Sequence, residues 1–228
     1  MRGVIFDYGL TLVRFSFPEA CLLAVLERFR PKLAEAARTE VPSAERLVEA
    51  VLMPLEEELQ RFGEDEVDYM SVYTAAWQRA GLELPRDLLY ELLDAEQLCW
   101  DEAATLVPGA LETLDRLRRR GLKTAIASNA PFPPEMMHRQ LRRNGLADAV
   151  DAAVFSSEVG KRKPAPELYL AALQMLDLSP AEALYVGDRV VEDYDGPRRV
   201  GMRAVLCGDA APDEVPRIAR LADVEAVL

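Results

Sequence analysis

Residues 3–12 read GVIFDYGLTL. The first four form a short apolar, β-prone run that ends abruptly at Asp7, with Gly9 close behind, the pattern of a buried strand giving way to a turn. Such a strand delivers Asp7 to its carboxyl end. Outward from this segment the chain changes character twice. From about Pro18 to Leu106 the apolar residues fall at helical spacing, in CLLAVLERF, AERLVEAVLMPLEEEL, VYTAAWQRAGL and DLLYELLDAEQLCW, which predicts about four helices. After Pro108 the two periodicities alternate. The order is helix GALETLDRLRRRG, strand KTAIAS, a helix from Pro134 to Arg143, a strand near AAVFSS and helix ELYLAALQML. Strand ALYVGD, a short helix ending near Gly201 and strand RAVLCG follow. Strands alternating with helices mean a parallel sheet covered on both faces. The expected fold is therefore α/β. A Rossmann-like parallel-sheet core forms from residues 1–13 and 105–228, and an all-helical cap, residues 14–104, is inserted after the first strand.

Composition bounds the class. Half of the 228 residues are hydrophobic and 29% are charged, which suits a folded globular chain with room for a core and an insertion. No apolar run reaches the roughly 20 residues of a membrane span, and the start MRGVIFDYG lacks a signal peptide's pattern, so no membrane segment and a cytoplasmic location are expected. Cys21, Cys99 and Cys207 are odd in number and lack metal-ligand spacing, which predicts buried, reduced thiols. A net charge of -12 argues against nucleic acid as a partner and for small molecules. Both a monomer and a homodimer are compatible with it.

Residues 14–104 hold 20 acidic and 9 basic side chains, read as solvated helix faces. The runs EEE at 56–58, EDE at 64–66 and RRR at 118–120 are read the same way or as helix ends. The single histidine, His138, nearly excludes a His-based triad or a histidine-ligated metal site and is expected on a helix surface. Trp77, Trp100, Tyr69, Tyr73 and Tyr90 read as helical core rather than as pocket lining.

In an open parallel sheet, ligands bind beyond the carboxyl ends of the strands. Four sets of polar residues stand there: Asp7, Ser128 with Asn129, Lys163, and Asp188 with Asp193. Three carboxylates converging on one face repel one another unless a cation lies among them. Mg²⁺, a hard ion that shares carboxylates with substrate phosphates, is the expected cofactor. Ser128 offers a hydroxyl and nearby backbone N–H groups to phosphate oxygens, and Lys163 offers a compact positive charge. These are the parts of a phosphoryl-transfer site acting on a small phosphorylated molecule. Asp195 reads as structural, at a helix N-terminus.

The four segments FDYGLTL, AIASNA, KRKPAPELY and GDRVVED, in this order and with a helical insert between the first two, resemble the haloacid dehalogenase (HAD) superfamily of hydrolases. The resemblance implies Asp7 as nucleophile, forming an aspartyl-phosphate that water then hydrolyses. It implies Mg²⁺ held by the Asp7 carboxylate, the Gly9 carbonyl and Asp188, with Asp193 completing or supporting that shell. Ser128 and Asn129 would bind the phosphoryl group, and Lys163, the lysine directly before the proline, would neutralise charge, with Lys161 as the fallback.

Most phosphatases of the family carry a second Asp two residues after the nucleophile as general acid, and here that position is Gly9, which some members that are still phosphatases also have. Tyr8 points to the opposite face and cannot take over. Three readings stay open: a substrate with a good leaving group, a proton donor from the cap, or a slow or inactive enzyme. The leading expectation is a phosphatase. Its rivals are a non-catalytic relative that binds phosphate or a partner, and a 2-haloacid dehalogenase.

Overall fold

The computed structural model describes residues 1–59, 63–208 and 215–228. Six parallel strands form the main sheet: β1 (Gly3–Phe6), β4 (Lys123–Ser128), β5 (Ala152–Phe155), β6 (Ala183–Gly187), β7 (Arg203–Cys207) and β8 (Arg217–Ile218). Their spatial order is β5-β4-β1-β6-β7-β8, with helices in the connections between most of them. Counted by chain order within the sheet, that arrangement is the doubly wound order in which the winding reverses beside the first strand. In β1, Phe6 lies opposite Ile126 of β4 on one side and Val186 of β6 on the other. The crevice at the reversal therefore opens between the residues after β1 and after β6.

Alternation along GVIF sorts the side chains. Val4 and Phe6 pack into one buried cluster with Leu114, Ile126 and Phe155, and Ile5 packs into the other with Ala127, Leu173 and Tyr185. All four residues of β1 are buried, as the apolar run demands.

The strand expected near AAVFSS is shorter than its sequence suggests. It ends at Phe155, and Ser156–Val159 make a helical turn. Glu158 accepts the Phe155 N–H at 2.9 Å, a local side-chain bond that competes with continued pairing. Three strands were not foreseen, the edge strand β8 among them. The other two, β2 (Val13–Phe15) and β3 (Ala104–Leu106), pair antiparallel at the two boundaries of the expected insert.

The chain divides into two compact units. One comprises Met1–Phe15, Glu64–Glu66 and Ala104–Leu228, and the other comprises Ser16–Gly63 and Val67–Ala103. The second unit is helical: Glu19–Ala37, Ala44–Leu47 running on to Leu59, Tyr69–Arg79 and Arg86–Ala103. The run from Ala44 widens into a π-type turn at Val48–Leu52 just before Pro54, whose missing N–H removes an ordinary helical bond there. Tyr69, Tyr73 and Trp77, spaced four apart, are buried. Trp100 is half-buried and Tyr90 sits at the surface.

The cysteine reading is corrected. Cys21 and Cys99 are joined by a disulfide, because the helices Glu19–Ala37 and Arg86–Ala103 bring their Cα atoms to 5.7 Å, a spacing that a disulfide spans. Sequence spacing cannot show this, since 78 residues separate the pair. Cys207 is free and half-buried.

Candidate active site

The turn after β1 is held by the N–H groups of Leu12 and Val13, both bonded to the Tyr8 carbonyl. Asp7 stands at its start with its N–H bonded to the Val186 carbonyl of β6 at 2.8 Å. Oδ1 of Asp7 accepts two bonds, from the Ser128 hydroxyl at 2.9 Å and from the Lys163 ammonium at 2.6 Å. Neither contact occupies Oδ2.

Lys163 is buried and has its three donors matched by three acceptors. They are Asp7, Asp193 at 2.6 Å and the Tyr185 hydroxyl at 3.0 Å. Tyr185 in turn donates to the Ala127 carbonyl at 2.6 Å, which ties the lysine to β4 as well as β6. The peptide between Lys163 and Pro164 is cis. Of the two candidate lysines, Lys163 reaches Asp7, whereas Lys161 is turned outward and paired with Asp65.

Asn129 clasps the same loop in both directions. Its Oδ1 accepts the Lys163 N–H at 2.7 Å and its amide donates to the Lys163 carbonyl at 3.2 Å. One N–H of the Asn129 amide and one lone pair of its Oδ1 are thus engaged with the loop that carries Lys163.

Asp193 lies in a π-type turn, Val190–Asp195, after β6. Oδ1 takes Lys163, and Oδ2 accepts the N–H groups of Asp188 and Arg189 at 3.0 and 2.9 Å. Both oxygens are thus engaged, and the carboxylate shapes the loop that carries Asp188. Gly187 makes this approach feasible, since a Cβ there would fall on the Asp193 carboxyl group. Asp188 takes the Thr11 hydroxyl on Oδ1 at 3.5 Å, the outer limit of hydrogen bonding.

One carboxylate oxygen from each of Asp7, Asp188 and Asp193 lies within 4.8 Å of the others. Three negative groups meet one buried ammonium, and the electrostatics record the excess. Burial, then Asp7 and Asp193, push the Asp188 carboxyl up to about 6. Burial also raises Asp7, with Asp193 adding to it and Lys163 opposing. For Lys163, burial works to discharge the ammonium, but Asp193 and Asp7 overcome it and hold the lysine charged well above its ordinary range. The donor set of hard carboxylate oxygens with surplus negative charge fits a small divalent cation such as Mg²⁺.

Tyr8 faces away from Asp7, as alternation requires. Its hydroxyl donates to Gln140 at 2.8 Å and accepts from Asn144 at 2.9 Å, and its ring packs on Phe15 and Phe155. His138, half-buried on its helix, bonds Glu158 at 3.1 Å.

The acidic runs in the insert are corrected in two places. Glu56 is half-buried, and burial raises its carboxyl. Glu66 has a side chain only 2% exposed, paired with Arg162 at 3.1 Å and with the Ser156 hydroxyl. A composition count cannot separate such a residue from its solvated neighbours. Tyr185 and Arg162 were likewise missed. The signal for Tyr185 was a phenol in an otherwise aliphatic strand, two residues before Gly187.

Sheet order and site together define an α/β protein of the Rossmann type with its polar centre at the topological switch point. Residues 1–201 match the family model described as haloacid dehalogenase-like hydrolase, and the chain belongs to that family. It is 36% identical over 138 residues to a ribulose-1,5-bisphosphate 5-phosphatase of Halopiger xanaduensis, covering 60% of this chain and 56% of that protein. A phosphoserine phosphatase of Thermus thermophilus is 39% identical over 100 residues, covering 44% and 39%. The chain thus spans about half the length, or less, of these curated relatives.

Among solved structures, a HAD phosphatase from Thermococcus onnurineus aligns with a TM-score of 0.63 at 21% identity, covering 100% of this chain and 97% of that one. A 2-haloacid dehalogenase from Pseudomonas syringae aligns with a TM-score of 0.69 at 24% identity, covering 100% and 98%. Phosphatase and dehalogenase share this fold, so fold likeness does not choose between the two reactions.

Proposed function

We propose that the chain is a magnesium-dependent phosphatase of small phosphorylated metabolites that works through a phosphorylated Asp7. The observation that carries the reading is the buried Lys163 ammonium shared between Asp7 and Asp193 at 2.6 Å each, beside a third aspartate that one lysine cannot neutralise. Relatives named as phosphatases support the same reaction class.

Asp7 and Asp188, with the Gly9 carbonyl, would hold Mg²⁺, and Asp193 would support that shell. Bound there, the ion supplies positive charge to the carboxylates and to the phosphoryl oxygens. Oδ2 of Asp7, which neither Lys163 nor Ser128 occupies, attacks phosphorus. The bond from phosphorus to the leaving oxygen breaks, and its electron pair departs with that oxygen. Lys163 and Ser128, both against Asp7, would stabilise charge on the transferring group. Water then attacks phosphorus, the bond to Asp7 breaks, and inorganic phosphate and the free carboxylate remain.

The leaving oxygen finds no acid at Gly9 or Tyr8. Acyl phosphates, which leave as stable carboxylates, are therefore favoured over alkyl phosphates.

Purified protein with Mg²⁺ is expected to release phosphate from acetyl phosphate and p-nitrophenyl phosphate, and both Asp7→Asn and a chelator are expected to abolish that release. No turnover across a broad panel, with Mg²⁺ and phosphate still bound, would mean a binding-only relative. Chloride release from a 2-chloroacid in the presence of chelator would mean a dehalogenase.

A further inference from the structure

We infer that Glu66 is a positioning residue for the phosphoryl site, fixing from a distance the two loops that present Ser128 and Lys163. The inference rests on the reading of those two residues as the phosphate-binding pair. Glu66 lies in the stretch Glu64–Glu66, flanked on both sides by residues of the helical unit but itself part of the sheet unit. The stretch is stitched to the loop before Lys163 by backbone bonds, Glu66 N–H to the Gly160 carbonyl at 3.1 Å and Arg162 N–H to the Glu64 carbonyl at 2.8 Å.

The side chains close a ring. Glu66 accepts from Arg162, whose chain neighbour is Lys163, and Lys163 is clasped through its peptide by Asn129. Ala130, next to Asn129, donates its N–H to the Ser156 hydroxyl at 2.8 Å, and Ser156 hydrogen-bonds back to Glu66. Each loop is therefore held at two points, by Asn129 between them and by Glu66 behind them.

The energetics make this a rigid clamp rather than a surface contact. Glu66 and Arg162 expose 2% and 15% of their side chains, so the pair is largely desolvated and removing one partner leaves a charge stranded. By contrast the adjacent pair of Asp65 and Lys161 is open to water, with the Asp65 side chain 87% exposed, and contributes little. Within the acidic run at 64–66, Glu66 is the residue whose carboxylate bonds to both Arg162 and Ser156, while Glu64 joins through its backbone carbonyl.

Misplacement of a reacting group by about 1 Å can cost roughly 10²-fold in rate. Releasing the clamp should therefore act on kcat more than on KM. The experiment compares wild type, Glu66→Ala, Glu66→Gln and Ser156→Ala, each below its own unfolding temperature. It measures kcat and KM for acetyl phosphate and hydrogen exchange at the Ala130 and Lys163 amides. Glu66→Ala is expected to lower kcat about 10-fold or more with KM within about threefold, and to speed exchange at both amides without changing the amides of β1. Glu66→Gln, which keeps the shape and an acceptor, should recover part of the loss, and Ser156→Ala should lose less than Glu66→Ala.

Unchanged kcat or unchanged exchange in folded Glu66→Ala overturns the inference. If that variant does not fold, Glu66→Gln decides by the same two readings. A wild type without turnover would sink the phosphatase reading, while amide exchange would still decide the role of Glu66.

Discussion

At the scale of single residues, the proposed phosphatase reading makes Gly9, where a proton donor would stand, the position that limits action on a poor leaving group. A Cβ at position 9 would meet only the Phe15 ring at 3.7 Å, an ordinary contact, so a side chain can be added there without displacing the turn. General acid catalysis is worth about 10²- to 10⁴-fold. Gly9→Asp is therefore expected to raise turnover of an alkyl phosphate such as glycerol phosphate by at least about 10-fold, while acetyl phosphate changes far less. An equal rise for both substrates would show that the new carboxylate acts on something other than the leaving group. Gly187 makes the opposite case. Its missing Cβ is space that Asp193 fills, so Gly187→Ala should destabilise the fold by about 1–3 kcal/mol and weaken Mg²⁺ binding, read by thermal unfolding and by metal titration. Asp7, Ser128 and Asp188 were legible as positions because each closes an apolar strand, where alternation and sheet topology dictate what faces the crevice. Glu66, Arg162 and Tyr185 were not, because their meaning lies in partners 22 to 96 residues away in the chain, which no local pattern encodes.

At the scale of elements, five of the six strands of the main sheet follow from apolar runs bounded by turn residues, and their parallel pairing follows from alternation with helices, whereas the strand order is seen only in the structure. What local pattern could not supply was the pairing of short pieces. β2 and β3 are three residues each, too brief for a periodicity, and they pair only because the chain returns to the same place 90 residues later. The disulfide between Cys21 and Cys99 is a second long-range tie, and it closes a loop of 78 residues. A disulfide typically stabilises by about 2–4 kcal/mol, more for longer loops. Adding a reductant, or Cys21→Ser with Cys99→Ser, should lower the thermal midpoint by several degrees, and an unchanged midpoint would show that the bond contributes nothing. The helical unit also hides an ionisable group. Glu96 is buried against Tyr73, whose hydroxyl it accepts at 2.9 Å. Burial, with Glu56 adding to it and Tyr73 opposing, pushes the carboxyl up to about 8. The folded state thus keeps a proton that the unfolded chain releases near 4.5, so this group's stabilisation is full below about 4.5 and is lost as pH rises toward 8. Denaturant titrations should show stability falling by at most about 1.4 kcal/mol per pH unit across that window, and Glu96→Gln should flatten the slope. A slope that survives the substitution would assign it to another group.

At the scale of the whole molecule, charge sets the terms on which a substrate arrives. The chain carries a net -12, and residues 14–104 alone hold 20 acidic against 9 basic side chains. The site adds three aspartates around a single buried ammonium, so the catalytic centre does not reverse the sign of the field. A phosphorylated metabolite is itself an anion and must approach against this potential until it reaches the positive groups at the strand ends. Repulsion over that distance is long-ranged. It is screened with a Debye length of about 30 Å at 0.01 M salt and about 8 Å at 0.15 M. Lys163 and Ser128 are buried, so on the proposed reading their contacts with a seated substrate would be shielded from solvent and added salt would hardly reach them. The two steps should therefore separate by ionic strength. With Mg²⁺ held saturating, kcat/KM for an anionic phosphate is expected to rise roughly twofold or more between these two salt concentrations, while kcat stays flat. A fall in kcat/KM would mean that the exposed Arg189, next to Asp188, outweighs the global charge and steers substrate inward. In that case Arg189→Gln should remove the salt dependence, which turns a composition-level argument into one about a single side chain.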